Sequence, residues 1–324
     1  MPSSTTTITF DKPNYLPGET VNGQVIIENS KPLKTRSVFI RWNGYSKTKV
    51  KRNPEYKHEF FKGSELVWVA NGGKNEMPAG THEYKFSFTL PKHCAPSLKR
   101  SNGQNTYKVT VEFDRPWWFT KKVVEEFRVT LELDEAHYNI NKPWPLTSSL
   151  RSGWLFKSGP ISFKSTTPGT LFKPGQKFDI DIEIGNNSAV TITGVKLRIM
   201  RKTHWHARPQ HIPCKRFYTC PLADSQQRDT LAFYAGDRHK MELAPYSEGK
   251  FTFPITIPSE IQTPSFGSGM MLHAHYIAVR FYYKNSPFIY WVDVPIIIAD
   301  RTKASTKDKG KQEELAVAPP PYSE

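Results

Sequence analysis

Residues 83–91 read EYKFSFTLP, and residues 249–258 read GKFTFPITIP. In the first stretch Tyr84, Phe86, Phe88 and Leu90 alternate with Glu83, Lys85, Ser87 and Thr89. A side-chain period of two belongs to a β-strand with one buried and one wet face. The second stretch repeats the pattern with Phe251, Phe253, Ile255 and Ile257, and Pro258 closes it as Pro91 closes the first, at an offset of 167 residues.

Further pairs follow in the same order. SVFIRW (Ser37 to Trp42) reads against GVKLRI (Gly194 to Ile199), so Val38, Ile40 and Trp42 fall on Val195, Leu197 and Ile199 at an offset of 157. The segment Ile8 to Asn29 reads against Ile161 to Asn187, with Pro17-Gly18 on Pro174-Gly175 at that same offset. A Pro-Gly step suits a turn before a strand, because Pro presets φ and Gly accepts the positive φ that follows. Three matched segments in one order make an internal duplication.

Each half offers about seven strands. In the first they are Thr5–Phe10, Gly23–Asn29, Arg36–Ser46, Glu59–Val69, Thr81–Leu90, Asn105–Phe113 and Lys122–Glu132. Short strands between turn signals, without amphipathic helices, predict an all-β chain of two tandem immunoglobulin-like β-sandwich domains. The expected boundaries are 1–134 for the first domain, 135–160 for a linker rich in Pro and Ser, and 161–300 for the second. Beyond them, 301–324 is polar and charged, and is expected to be a disordered tail.

Composition narrows the function. The 324 residues hold two domains of ordinary size, and 13% aromatic residues argue against a wholly disordered chain. No apolar run approaches the roughly 18 residues of a membrane helix, and the opening MPSSTTTITF has no secretory pattern. Three cysteines, Cys94, Cys214 and Cys220, are too few and too odd for a disulfide framework and fit a reducing, cytosolic setting. A formal net charge of +15 favours acidic partners: phosphates, nucleic acid or the anionic inner leaflet of a membrane.

Few residues carry chemistry. His204, His206, His211, Cys214 and Cys220 lie within seventeen residues, which raises zinc binding. Their spacing lacks a tight ligand pair and the first half has no counterpart, so a basic, partly exposed hairpin explains them better. There is no GxSxG, GxxxxGK[ST] or HExxH, so no catalytic residue, cofactor or metal is expected. The run KTKVKRNPEYKH (Lys47 to His58) is read as a solvated hairpin turning at Asn53-Pro54; no nucleic-acid-binding pattern accompanies it. PWWF (Pro116 to Phe119) is assigned to a core or domain interface.

The sequence closes on APPPYSE, Ala318 to Glu324. A proline triplet joins neither a helix nor a sheet interior and is preorganised as polyproline II. Prolines followed by an aromatic match the aromatic-lined grooves of WW domains. The binding residues are then Pro319, Pro320 and Tyr322, with Pro321 at the variable position.

The duplicated sandwich with a Pro-Gly step in each half, the junction word SGPISF (Ser158 to Phe163) and the PPxY tail together resemble an arrestin domain-containing protein of the α-arrestin family. The resemblance implies a non-catalytic adaptor in the cytoplasm, recruited to plasma membrane and endosomes. Its domains would contact membrane receptors or transporters as cargo, while PPxY recruits WW domains of HECT-type ubiquitin ligases for ubiquitination and endocytosis. Many relatives carry two such motifs where this sequence has one. The competing reading is a ligase-independent scaffold or signalling regulator. Arg301 to Ala318 would span about 25 Å as a flexible spacer and hold a ligase at roughly millimolar effective concentration. Lys303, Lys307, Lys309 and Lys311 are candidate ubiquitin acceptors.

Overall fold

The computed structural model describes residues 4–50, 54–71, 73–115, 120–134, 142–150, 160–208, 225–285 and 289–302. They are all-β. The first half contributes β1 (Ser4–Phe10), β2 (Asn14–Tyr15), β3 (Thr20–Asn29), β4 (Leu33–Lys34), β5 (Ser37–Thr48), β6 (Tyr56–Val69), β7 (Glu76–Met77), β8 (Gly80–Thr89), β9 (Leu98–Arg100), β10 (Gly103–Asp114), β11 (Lys121–Val129) and β12 (Glu132–Asp134). The second contributes β13 (Trp144–Leu150), β14 (Ile161–Thr167), β15 (Leu171–Phe172), β16 (Lys177–Asn186), β17 (Ile192–Trp205), β18 (Ser225–Leu243), β19 (Ser247–Thr256), β20 (Phe266–Gly267), β21 (Met271–Tyr283), β22 (Ile289–Ile298) and β23 (Asp300–Thr302).

Each half is a sandwich of one small and one large sheet. The first pairs β1-β3-β8 with β2-β11-β10-β5-β6, and the second pairs β13-β14-β16-β19 with β15-β22-β21-β17-β18. The alternating stretches seen in the sequence are β8 and β19, each on the flank of its small sheet. Their apolar sides enter the cores: Phe86, Phe88 and Leu90 join Val25, Ile40 and Val109 in the first, and Phe253, Ile255 and Ile257 join Ile182, Leu197 and Val279 in the second. In the first core Trp42 stacks on Phe88 with ring centroids 5.0 Å apart.

The duplication holds at the level of single hydrogen bonds. Gly18 donates its N–H to the Leu90 carbonyl and Gly175 donates to that of Ile257. Both glycines sit in the left-handed region, at φ 89° and 77°. One residue on, the Glu19 side chain accepts from the Leu16 N–H, and Gln176 accepts from Lys173, each at 2.9 Å. The Pro-Gly step is therefore one and the same turn, locked in both halves by a carboxylate or amide three residues after the donor.

Besides short strands that the sequence reading did not list, two departures stand out. Trp144–Leu150, inside the segment expected as a linker, forms the edge strand β13, paired along its length with β14 from Trp144↔Thr167 to Leu150↔Ile161. WPLTSSL hides its strand character because Leu146 packs on the core while Trp144 stays exposed, and Pro145 is tolerated at a sheet edge. β5 also runs on to Thr48, past the expected end at Ser46.

Candidate functional site

β5 and β17 hold the same place in the two halves, and at the repeat offset of 157 their last residues, Thr48 and Trp205, are equivalent. Thr48 lies opposite Gly103 on β10, and Trp205 opposite Met271 on β21. These strand ends meet at the seam between the domains. Trp205, fully buried, lies on the backbone of Gly103, where a Cβ would come within 2.4 Å of the indole Cδ1. Glycine is required there by close approach, not by backbone dihedral. The Thr48 hydroxyl donates to the His206 carbonyl at 2.9 Å. Leu98, Leu131 and Leu133 from the first half and Phe266, Met270 and Met271 from the second complete an apolar cluster around Trp205.

Polar ties frame this cluster. Arg100 on β9 and Arg201 on β17 both donate to Oδ2 of Asp229 on β18, the Arg201 contact at 3.0 Å. Burial pushes the Asp229 carboxyl up, but Arg201, Gln227 and Arg100 outweigh it and hold the group below its ordinary value. One carboxylate thus joins two cations from different domains. Arg128 donates to the side chain and carbonyl of Gln262, and the Thr263 hydroxyl donates to the Ser97 carbonyl at 3.2 Å. β12 and β23 pair in parallel, from Glu132↔Asp300 to Asp134↔Thr302. A crevice of about 850 Å³ opens beside the ties, with Lys12, Arg100 and Arg128 from one domain and Arg201 and Gln262 from the other in its wall.

Four histidines sit at the second domain's end of the seam, all buried: His204, His206, His273 and His275. His273 and His275 lie in T-shaped contact, ring centroids 5.1 Å apart, with their Nδ1 atoms at 2.8 Å from Thr203 Oγ1 and Ser265 Oγ. Burial holds His275 down to about 3, with Arg201 adding to it; burial, His275, Arg201 and Arg100 hold His273 well below its ordinary value. His204 is likewise held at about 3 by burial, then by His206 and Lys202. All three are neutral imidazoles at physiological pH.

His204 and His206 share a strand face, as their spacing predicts, with ring centroids 5.6 Å apart. Their burial corrects the expectation of a partly exposed hairpin, because the strand end lies in the domain seam. His211, Cys214 and Cys220 fall outside the described residues. Among the described residues no group of three or more His, Cys, Asp or Glu is arranged to hold a metal. Cys94 is buried and unpaired, and burial raises its thiol to about 12, which leaves it inert as a nucleophile. Pro116 to Phe119 and the motif residues Pro319, Pro320 and Tyr322 also lie outside the described residues. β23 ends at Thr302 beside the seam, so the motif-bearing segment follows directly from the domain junction. Sequence reading missed His273 and His275, although HAH on β21 answers HWH on β17.

Two family models match the chain: the arrestin (or S-antigen) N-terminal domain over residues 6–136 and the arrestin (or S-antigen) C-terminal domain over residues 157–301. Among curated proteins, arrestin domain-containing protein 17 of Caenorhabditis elegans is 26% identical over 233 residues, covering 62% of this chain and 52% of that protein. Arrestin domain-containing protein 4 of Mus musculus is 27% identical over 197 residues, covering 54% and 46%. Arrestin domain-containing protein B of Dictyostelium discoideum is 25% identical over 205 residues, covering 59% and 32%. The chain spans about half the length, or less, of these relatives. With both domain models matched in tandem over the two sandwiches, the chain belongs to the arrestin family.

Proposed function

We propose that this arrestin-like adaptor recruits WW-domain HECT-type ubiquitin ligases to membrane-protein cargo through Pro319, Pro320 and Tyr322, and that it performs no catalysis of its own. The observation that carries the reading is a PPxY word in the polar segment that follows two arrestin domains. The domains supply rigid binding surfaces joined by a packed seam, and the word supplies a preorganised ligand whose ordering cost is already partly met. Cytoplasmic residence with recruitment to plasma membrane and endosomes follows from that role. Phosphorylation of Tyr322 would place about −1.5 to −2 charges where the WW groove takes an aromatic ring, and would weaken the contact.

Proximity labelling in cells tests this directly. A labelling enzyme fused to the intact chain is expected to mark HECT ligases, and the Tyr322→Ala variant to lose that set while keeping the cargo set. Ligase labelling that is unchanged in Tyr322→Ala refutes recruitment through the motif and leaves the ligase-independent scaffold as the reading.

A further inference from the structure

Among the described residues six strands of seven or more residues stand at a sheet edge: β1, β6, β8, β13, β18 and β19. An edge offers unpaired N–H and C=O groups to any approaching strand, and proteins blunt it with charges, bulges or proline. β6 carries Lys57, Glu59, Lys62 and Glu65, and two register shifts against β5. β18 carries three shifts against β17, β8 carries Glu83 and Lys85, and β19 carries Glu248, Lys250 and Pro254. β13 reads WPLTSSL, with no charged residue, no register shift along its pairing with β14, and Pro145 alone near its start. Trp144 stays 42% exposed, and Thr147 and Ser149 are exposed beyond it. The neighbouring charge, Lys164 on β14, is met by Glu183 at 3.3 Å.

The far side of β13 pairs with no strand among the described residues. β1 is equally neutral, but the crevice beside it has Lys12, Arg100 and Arg128 in its wall, which repel a second basic chain. For a chain of net charge +15, β13 is therefore the edge at which two copies can meet without like charges opposed. Twofold antiparallel pairing centred on Thr147 uses the whole strand. It sets Thr147 opposite Thr147, Leu146 opposite Ser148, Pro145 opposite Ser149 and Trp144 opposite Leu150. Opposite residues then have like parity, so the outward row of one copy continues that of the other. Such a contact is isologous and closes on itself as a dimer.

We infer that β13 joins two copies of this chain edge to edge in a weak, concentration-dependent dimer, the small sheets of the two second domains becoming one. The inference deepens the adaptor reading and rests on it for its consequence. Each copy brings one PPxY word, so the pair presents two to tandem WW domains, an avidity that a single chain lacks. The association itself involves neither cargo nor ligase, so the two readings fail separately.

The test is sedimentation equilibrium of the full chain from about 1 to 200 μM, at low and high salt. Mass should rise from monomer toward dimer with concentration. The dimer should tighten in high salt, which screens the repulsion between two chains of charge +15. Thr147→Lys and Thr147→Glu each set like charges opposite each other and should each weaken the dimer roughly fivefold. Their equimolar mixture should recover it, because the introduced lysine then faces the introduced glutamate. Ser64→Lys, at an exposed position on the edge strand β6, and Tyr322→Ala should dimerise as the parent does. Unfolding midpoints of the Thr147 variants should stay at the parent's, since Thr147 is exposed. A monomer throughout the concentration range, no recovery on mixing, or equal weakening by Ser64→Lys overturns the inference. So does loosening in high salt, which would assign the association to opposite charges elsewhere on the chain.

Discussion

The two halves of this molecule share turns, strand order and register, yet they end their equivalent central strands in opposite ways. β5 finishes on Lys47 and Thr48, with Lys49 just beyond it; at the repeat offset β17 finishes on His204 and Trp205, with His206 just beyond. The next strand follows suit: Asn105 and Tyr107 of β10 stand opposite Ser46 and Gly44, while His273 and His275 of β21 stand opposite Thr203 and Arg201. Even the exit bonds correspond, with the Lys49 N–H donating to the Asn102 carbonyl at 2.9 Å and the His206 N–H to Met270 at 3.0 Å. Duplication therefore preserved the backbone and let side chains diverge where the copies touch. Here the first half has buried Thr48, Asn105 and Tyr107 and a glycine slot at Gly103; the second has the indole of Trp205 that fills it.

The largest test of this asymmetry is Trp205→Ala, which should cost about 3–5 kcal/mol through the cavity left in the seam. Thr48→Ala at the equivalent position removes one hydrogen bond and should cost about 1 kcal/mol. Chemical denaturation of both variants checks the ratio, and equal losses would break the comparison. Gly103→Ala should follow at about 1–3 kcal/mol by overpacking against the indole. Repeated in the Trp205→Ala background, most of that cost should vanish, because the two residues act through one contact. Asp229→Asn leaves Arg100 and Arg201 facing each other across the domains and should also cost about 1–3 kcal/mol, with partial recovery in high salt that thermal melts can detect.

Acidification probes the seam separately, and its sign is fixed by its buried histidines. The folded-state values of His204, His273 and His275 lie below the unfolded value, His204 and His275 at about 3. Their contribution is thus complete above the unfolded value of about 6.5 and declines as pH falls below it toward the folded value. Between about pH 7.5 and 5.5 each independently titrating buried histidine should remove roughly 1.4 kcal/mol. His275→Gln should flatten the pH dependence of the unfolding midpoint. An unaltered slope in His275→Gln would remove the seam histidines from the account.

Much of the fold was legible because its signal is local. Alternation such as Tyr84-Phe86-Phe88 needs only neighbours two residues apart, and the Pro-Gly turns need four residues, so copies of both can be aligned by eye. β13 was not legible, since WPLTSSL carries serines, a threonine and a proline and leaves no apolar alternation to read. The seam was least legible of all. Trp205 and Gly103 meet only after both sandwiches have formed, and an isolated glycine in a strand pattern does not reveal what will lie on it. The PPxY word is the converse case: the site proposed there is complete within four residues and owes nothing to the fold.

The account joins a fixed two-domain body to that short ligand, and titration of an isolated HECT-ligase WW domain against the intact chain tests the joint most directly. Saturable binding is predicted, weakened at least about tenfold by Tyr322→Ala. Equal affinity of the intact chain and Tyr322→Ala would contradict it.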